Sequence, residues 1–440
     1  MKKLLIITYY WPPSGGAGVQ RWLKFVKYLR QFGWEPIVYT AENPEYPIID
    51  ESFIKDIPEG IHVLKQPIWE PYQLYKRFIG QKKEERVVSG FLQESGNKGF
   101  AQRLSLWLRG NVFIPDARKF WIKPSINYLS SWLKENHVDA IASTGPPHSM
   151  HLIARKLKKK TGLPWLADFR DPWVNIDFAS DLAMSKYAKN RNISLEKAVL
   201  QEADRIVVVS DFMADEFKSK TSKPISVITN GFDPEDFDVA PELLRKDEYF
   251  SLVHTGSLND RRNHPALWKA IAELRLKNSD FRRDFRLRLI GKNDISVKQS
   301  ITENGLDDCT EIIDYLPHQQ IIAEQKSASV LLLSINNYGA SETGFFSPKA
   351  TLTGKLFEYL AAGRPILMLG PKDGQASEVV SSSNESNKVV DFDNQLEMEN
   401  IMLEMYQSMK DVHPVIADKR FSRITLTEQL AELLNQLEIN

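Results

Sequence analysis

The sequence predicts an α/β protein built from two successive parallel-sheet units. Short apolar runs alternate with amphipathic segments of helical period along nearly all of the 440 residues, the pattern of repeated βαβ units. The alternation restarts after an acidic, proline-containing stretch, "GFDPEDFDVAPELLRKDEY" at 231–249. A chain of 440 residues also exceeds what one hydrophobic core usually supports. We therefore expect a first domain over 1–240 and a second over 241–417. A terminal amphipathic helix, "FSRITLTEQLAELLNQLEIN", falls in 418–440 and could pack back on either domain.

The first unit opens with "KLLIITYY", apolar enough for a strand covered on both faces. "GVQRWLKFVKYLRQFG" follows with apolar residues at helical spacing and stops at Gly33. Further strands are expected at "EPIVYTA", "VDAIASTG", "PWLADFRD", "DRIVVVS" and "PISVITNGFD". Helices are expected at "SMHLIARKLKKKTG", "LEKAVLQEA" and "DFMADEFKSK". In the second unit, strands at "YFSLVHTGSL", "FRLRLIG", "CTEIIDYLP", "SASVLLLSI" and "RPILMLG" are separated by helices such as "HPALWKAIAELRLKN", "VKQSITENG" and "TGKLFEYLAAG".

The composition, 42% hydrophobic and 26% charged, is ordinary for a soluble globular protein. Its 57 basic residues equal its 57 acidic ones, so nucleic acid is not an expected partner. The single cysteine, Cys309, allows no internal disulfide, fits a reducing cytoplasm and reads as a packed side chain rather than a nucleophile. "MKKLLIITYYWPP" lacks a signal-peptide cleavage site, and no run approaches the ~18 apolar residues of a spanning helix. The expected place is the cytoplasm, with a peripheral position on the inner face of a membrane as an extension.

That extension comes from residues 73–125, which break the rhythm. From Lys76 to Lys123 there are eleven Lys or Arg against four acids. Within the segment, "FAQRLSLWLRG" mixes Phe100, Leu104, Leu106, Trp107 and Leu108 with Arg103 and Arg109. It reads either as an interfacial helix on anionic lipid, with Arg103, Trp107 and Arg109 at a membrane or acceptor surface, or as a solvated helix covering one domain edge.

Four strings carry chemistry. In "YYWPPSGGAGVQR", Gly15, Gly16 and Gly18 stand between a strand and a helix, where backbone can approach an anion at a helix N-terminus. Arg21 occupies the third glycine position of a dinucleotide fingerprint, although Glu42 ends the second strand, and no Walker lysine follows. In "STGPPHSMHLIARKL", His148 follows a strand directly, whereas His151 and His137 read as ordinary helix or loop residues. In "ADFRDPW", Asp168, Arg170 and Asp171 crowd a strand end; they could bind hydroxyls and move protons, or form a structural ion pair under a turn. In the second unit, "TGSLNDRRNHPALWKAI" puts Arg261 and Arg262 ahead of a helix, and "TGKLFEYLAAGRPIL" opens a helix at Gly354 and Lys355 with Glu358 one turn in. A carboxylate there could be simple dipole stabilisation or could grip a diol while the helix start holds phosphate.

These strings, in this order, resemble a retaining glycosyltransferase of the GT-B fold, glycosyltransferase family 4, over nearly the whole chain. "TGKLFEYLAAGRPIL" and "DRIVVVSDFMADEF…VITNGFD" are the most specific part. The resemblance implies two Rossmann-like domains facing across a cleft, an N-terminal acceptor-binding domain and a C-terminal nucleotide-sugar-binding domain. The implied reaction moves a sugar from a nucleotide-sugar to a glycan or lipid-linked acceptor in polysaccharide or cell-envelope synthesis, with retention, no catalytic metal and no cofactor. It implies that Gly15, Gly16, Gly18, Arg262, Gly354, Lys355 and Leu356 serve the donor diphosphate and that Glu358 binds the donor ribose. His148, Asp168, Arg170 and Asp171 are the implied groups at the transferred sugar.

Two departures stand out. The family often has a second glutamate ahead of the one matched by Glu358; here that place is Ala350, and its task would pass to backbone or to Ser347, Lys349 or Thr351. The earlier of the family's two basic positions after the second-domain strand is Ser257. Two other readings share the fold, a sugar-nucleotide 2-epimerase and a catalytically silent binding subunit.

Overall fold

The computed structural model describes residues 1–71, 100–175, 183–245, 249–338, 348–409 and 417–437. Among them no helix is long and apolar enough to cross a membrane. The chain divides into two units. The first contains the described residues up to Thr229 and returns at Arg423; the second runs from Asn230 to Ser422. The first division falls before the acidic stretch rather than at 240, because Phe232 already donates its N–H to the Phe421 carbonyl and pairs with Ser422.

In the first unit, β1 (Lys2–Ile7), β2 (Trp34–Ala41), β3 (His62–Gln66), β4 (Ala140–Gly145), β5 (Trp165–Phe169), β6 (Arg205–Val208) and β7 (Ile225–Val227) form one sheet. Their order is β3-β2-β1-β4-β5-β6-β7, and every pairing is parallel. Leu4, Leu5, Ile6 and Ile7 are fully buried, as a central strand covered on both faces requires. The covering helices are α1 (Ala17–Leu29), α2 (Phe100–Asn111), α3 (Ile122–Glu135), α4 (Ser149–Thr161), α5 (Lys186–Glu202) and α6 (Asp211–Lys218). Trp22, Phe25 and Leu29 of α1 pack into a core with Leu4, Ala140 and Leu166.

The second unit repeats the plan. Strands β8 (Phe250–Thr255), β9 (Phe285–Ile290), β10 (Thr310–Ile313), β11 (Val330–Ser334), β12 (Ile366–Leu369) and β13 (Lys388–Val390) order as β10-β9-β8-β11-β12-β13, again all parallel. Between them run α7 (Pro265–Lys277), α8 (Ser279–Asp284), α9 (Ile295–Glu303), α10 (His318–Ser327), α11 (Gly354–Ala362), α12 (Gln375–Ser383) and α13 (Gln395–Gln407). The last helix, α14 (Arg423–Asn435), belongs to the first unit, where Leu426, Leu430 and Leu434 join the core of α1.

In both sheets the strand order reverses beside the first strand of the unit, between β1 and β4 and between β8 and β11. Loops leaving the carboxyl ends of such neighbours diverge and leave a crevice, the usual ligand position in open parallel sheets.

Candidate functional site

At the carboxyl edge of the first sheet, the loop after β1 is fastened on several sides. Thr40 Oγ1 and the Tyr46 hydroxyl donate to the Tyr9 carbonyl at 3.2 and 3.1 Å. Ser14 bridges to Ile49, and the Gly15 N–H donates to the Ile48 carbonyl at 2.9 Å. The Gly15 N–H is thus consumed inside the loop expected near the donor phosphate. Gly16, with φ +81°, opens α1, whose first turn has neither a side-chain cap nor an acid. Gly18 makes room for protein rather than ligand: a Cβ there would meet Arg170 Nη1 and the Tyr10 ring, each at 3.3 Å.

The strand-end cluster separates into unlike parts. Asp168 is buried and accepts from Arg21 Nε and Nη2 at 3.1 and 2.9 Å, from Trp22 Nε1 at 2.7 Å and from Thr144 Oγ1 at 2.8 Å. Those bonds occupy both carboxylate oxygens, which corrects the expectation of a catalytic Asp168: it ties α1 to β4 and β5. Arg21, taken from the sequence only as the residue that spoils a dinucleotide fingerprint, is its buried counter-ion. Arg170 donates to the Gly18 carbonyl at 2.5 Å and to the Pro146 carbonyl, with its guanidinium over the Tyr10 ring. It clasps the first turn of α1 and the loop after β4 together and holds their geometry. Asp171 is exposed at the strand end.

His148 immediately precedes α4 and stacks on Trp173 with ring centroids 4.6 Å apart and planes 5° from parallel. Both of its ring nitrogens are buried without a partner. Burial first, and then His151 and Arg170, hold its pKa well below the usual imidazole value, so the ring is neutral. His151 is not an ordinary helix residue: its Nδ1 meets Ser143 Oγ at 2.8 Å, and burial lowers its pKa to about 3. A Cβ on Gly145 would come within 2.6 Å of His151 and 2.8 Å of His148, so a side chain there would displace both rings.

At the carboxyl edge of the second sheet, Gly256 follows β8 with φ +97°, and Lys355 fills the space a side chain would take there. A Cβ there would sit 2.3 Å from Lys355 Cε. Arg262 is oriented by Asn336 Oδ1 at 2.7 Å and the Ser257 carbonyl at 3.1 Å. Arg261 instead places its guanidinium over the Tyr338 ring, so the structure separates two arginines that the sequence left equivalent. Burial and the neighbouring Arg262 lower the Lys355 pKa to about 7.

Lys355 enters at the first turn of α11, which has no side-chain cap and no acid in that turn. The Thr353 hydroxyl just before it is buried without a partner. The Leu356 N–H already donates to the Thr353 carbonyl at 3.2 Å and its side chain is in the core, so the expected set of three diphosphate amides reduces to Gly354 and Lys355. Glu358 is half-buried, reached by Gln325 Nε2 at 3.4 Å, and Gln325 also bonds Thr255 Oγ1 at 3.0 Å. Two cations, an uncapped helix start and a carboxylate one turn away suit a ligand that carries phosphate and hydroxyls together.

Around the vacant glutamate position, Ala350 is buried and Lys349 pairs with Asp373 on the surface. Thr351 is half-buried, and Ser347 lies outside the described residues. The basic segment is described from residue 100 onward, without the side chain of Arg103; Trp107 is exposed and Arg109 half-buried.

The sequence model of Glycosyltransferase Family 4 matches residues 87–236. No curated protein matches the chain in sequence. Sucrose-phosphate synthase from Thermosynechococcus elongatus superposes with a TM-score of 0.62 at 13% identity, covering 99% of each chain. UDP-GlcNAc 2-epimerase from Methanocaldococcus jannaschii gives 0.54 at 11% identity, over 98% of this chain and 99% of that one. The trehalose-6-phosphate structure from E. coli bound with UDP-2-fluoro glucose gives 0.52 at 10% identity, over 100% of this chain and 96% of that one. At such identities the likeness establishes the fold: two parallel-sheet α/β units of the GT-B type.

Proposed function

We propose that this chain is a nucleotide-sugar-dependent glycosyltransferase, transferring a hexose to a glycan or lipid-linked acceptor with retention and without a catalytic metal. The observation that carries the reading is the second-unit crevice, where Lys355 and Arg262 gather beside the uncapped start of α11. The Family 4 match over 87–236 and the fold shared with a UDP-2-fluoro glucose complex support it.

In this reading the diphosphate lies against the Gly354 and Lys355 amides, the Lys355 ammonium and Arg262, and Glu358 accepts from the ribose hydroxyls. As the bond from the anomeric carbon to the β-phosphate oxygen breaks, negative charge grows on the leaving group. Fixed cations and the helix dipole stabilise that charge more than the ground state and so lower the barrier. The acceptor oxygen attacks from the same face, and its proton passes to the departing phosphate. In this reading His148, a neutral ring on the first unit, is the group assigned to sugar or acceptor hydroxyls. The place of action is the cytoplasm and its membrane face, in envelope or polysaccharide synthesis.

The test is incubation with a panel of UDP- and GDP-sugars while following release of free nucleotide. One donor should be slowly hydrolysed, with the rate lowered about a hundredfold or more in Lys355→Ala and donor affinity weakened in Glu358→Ala. No nucleotide binding across the panel, together with an unchanged Glu358→Ala protein, sinks the reading. Conversion of UDP-GlcNAc to its 2-epimer with no transfer moves it to the epimerase class.

A further inference from the structure

One of the two readings of the basic segment was an interfacial helix at α2, the other a solvated helix covering a domain edge. In the structure Leu106 of that helix is buried, and Trp107, 45% exposed, remains outside. The larger exposed aromatic surface is assembled from two separate stretches. Trp69, just after β3, is 55% exposed and meets Phe120, 41% exposed, edge to face at 4.9 Å. Phe120 stands 6.2 Å from Phe113. Lys119 places its ammonium over the Phe120 ring at 5.2 Å and donates to the carbonyl of exposed Val112 at 2.6 Å. Large apolar side chains gathered on a surface usually mark a contact.

Among the described residues, Lys119 brings a positive charge onto these rings. Lys123, four positions after Lys119, is exposed. The described acids of these stretches are engaged within the protein: Asp116 accepts from the Arg118 amide and from the amide and hydroxyl of Ser149. Glu70 is buried under the Tyr9 hydroxyl and Arg118 Nε. The platform is also firm, since Trp121, next to Phe120, stacks fully buried on Tyr39 at 5.0 Å.

We propose that this face docks on an anionic bilayer, with Trp69, Phe113 and Phe120 entering the headgroup layer while Lys119 and Lys123 meet lipid phosphate. The exposed rings of Trp69 and Phe120, half-buried Phe113 beside them and the neighbouring lysines, with Glu70 buried and Asp116 engaged by Ser149, match such a surface in both polarity and charge. The inference rests on the lipid-linked branch of the proposed function and names the residues that would bring the first unit to such an acceptor.

Flotation of the full chain with phosphatidylcholine vesicles containing phosphatidylglycerol tests it without nucleotide, so a failed transfer assay would not decide the outcome. We expect binding to the anionic vesicles, little to pure phosphatidylcholine, and release at high salt. Trp69→Ser combined with Phe120→Ser should lower partition about tenfold. Lys119→Glu with Lys123→Glu, surface changes that leave the ring packing alone, should do at least as much. Both variants should melt as the parent does. No binding to anionic vesicles at low salt overturns the proposal. So does unchanged binding in the lysine variant, or a dimer in solution that the ring variant abolishes, since a second copy would then own the face.

Discussion

Lys355 shows how far a single residue can be set against its own fold. Its neighbours are Arg262 from the turn after β8, His254 on β8, and Glu358 on its own helix. Burial and Arg262 outweigh the pull of Glu358, and the pKa falls from 10.5 to about 7. The unfolded chain keeps that proton up to its ordinary pKa, so between about 7 and 10.5 it binds more protons than the folded chain. On this account the lysine weakens the fold most below pH 7, and stability rises as pH climbs through the window. Lys355→Met should therefore raise the melting temperature at pH 6.5 by about 2–4 °C while lowering UDP affinity about tenfold or more. Scanning calorimetry and titration calorimetry measure the two effects. A variant that is less stable and binds UDP unchanged contradicts both the burial argument and the site. In the parent, UDP should bind with proton uptake near neutral pH, seen as a binding enthalpy that varies with the ionisation heat of the buffer.

At the scale of elements, legibility followed locality. The central strands of each sheet were readable because a parallel strand covered on both faces is a continuous apolar run, as in "KLLII" and "VLLLS". The edge strands β3 and β13 were not, since "HVLKQ" exposes His62 and Lys65 and "KVV" is only three residues long. The placement of Gly354, Lys355 and Glu358 on one helix was legible because they are close in sequence. Asp168 was misjudged because its partners are far away in sequence; Arg21 is 147 positions earlier. A polar residue at a strand end looks the same whether it faces a ligand or a buried guanidinium. Gly18 misled similarly, being small for the sake of Arg170 and Tyr10. The helix-to-strand tie gives a sharp expectation. Asp168→Ala leaves Arg21 buried and uncompensated and should cost about 3–5 kcal/mol, measured by urea denaturation. UDP affinity at the second unit should stay unchanged; a parallel loss of UDP binding would show that Asp168 does more than hold α1.

For the whole molecule, the division at Thr229 and the return at Arg423 matter more than the boundary position expected from composition. The acidic stretch was the expected boundary, yet Phe232 within it already pairs with Phe421 and Ser422. The return helix α14 brings Leu426, Leu430 and Leu434 into the first core. Burial of three leucines is worth about 5 kcal/mol or more, so a chain truncated after Ser422 should lose the unfolding transition of the first unit or show it at much lower denaturant. UDP should still protect the second unit from proteolysis. A truncated chain that melts as the full one does would mean that α14 adds little to that core.

The order in which the chain is made gives this arrangement a temporal side. Everything the second unit needs has been synthesised by Ser422, whereas the first unit, begun at the N-terminus, waits for a helix translated after it. During that interval Trp22, Phe25 and Leu29 lack the leucines that will cover them. The first-begun unit is thus completed only after the second.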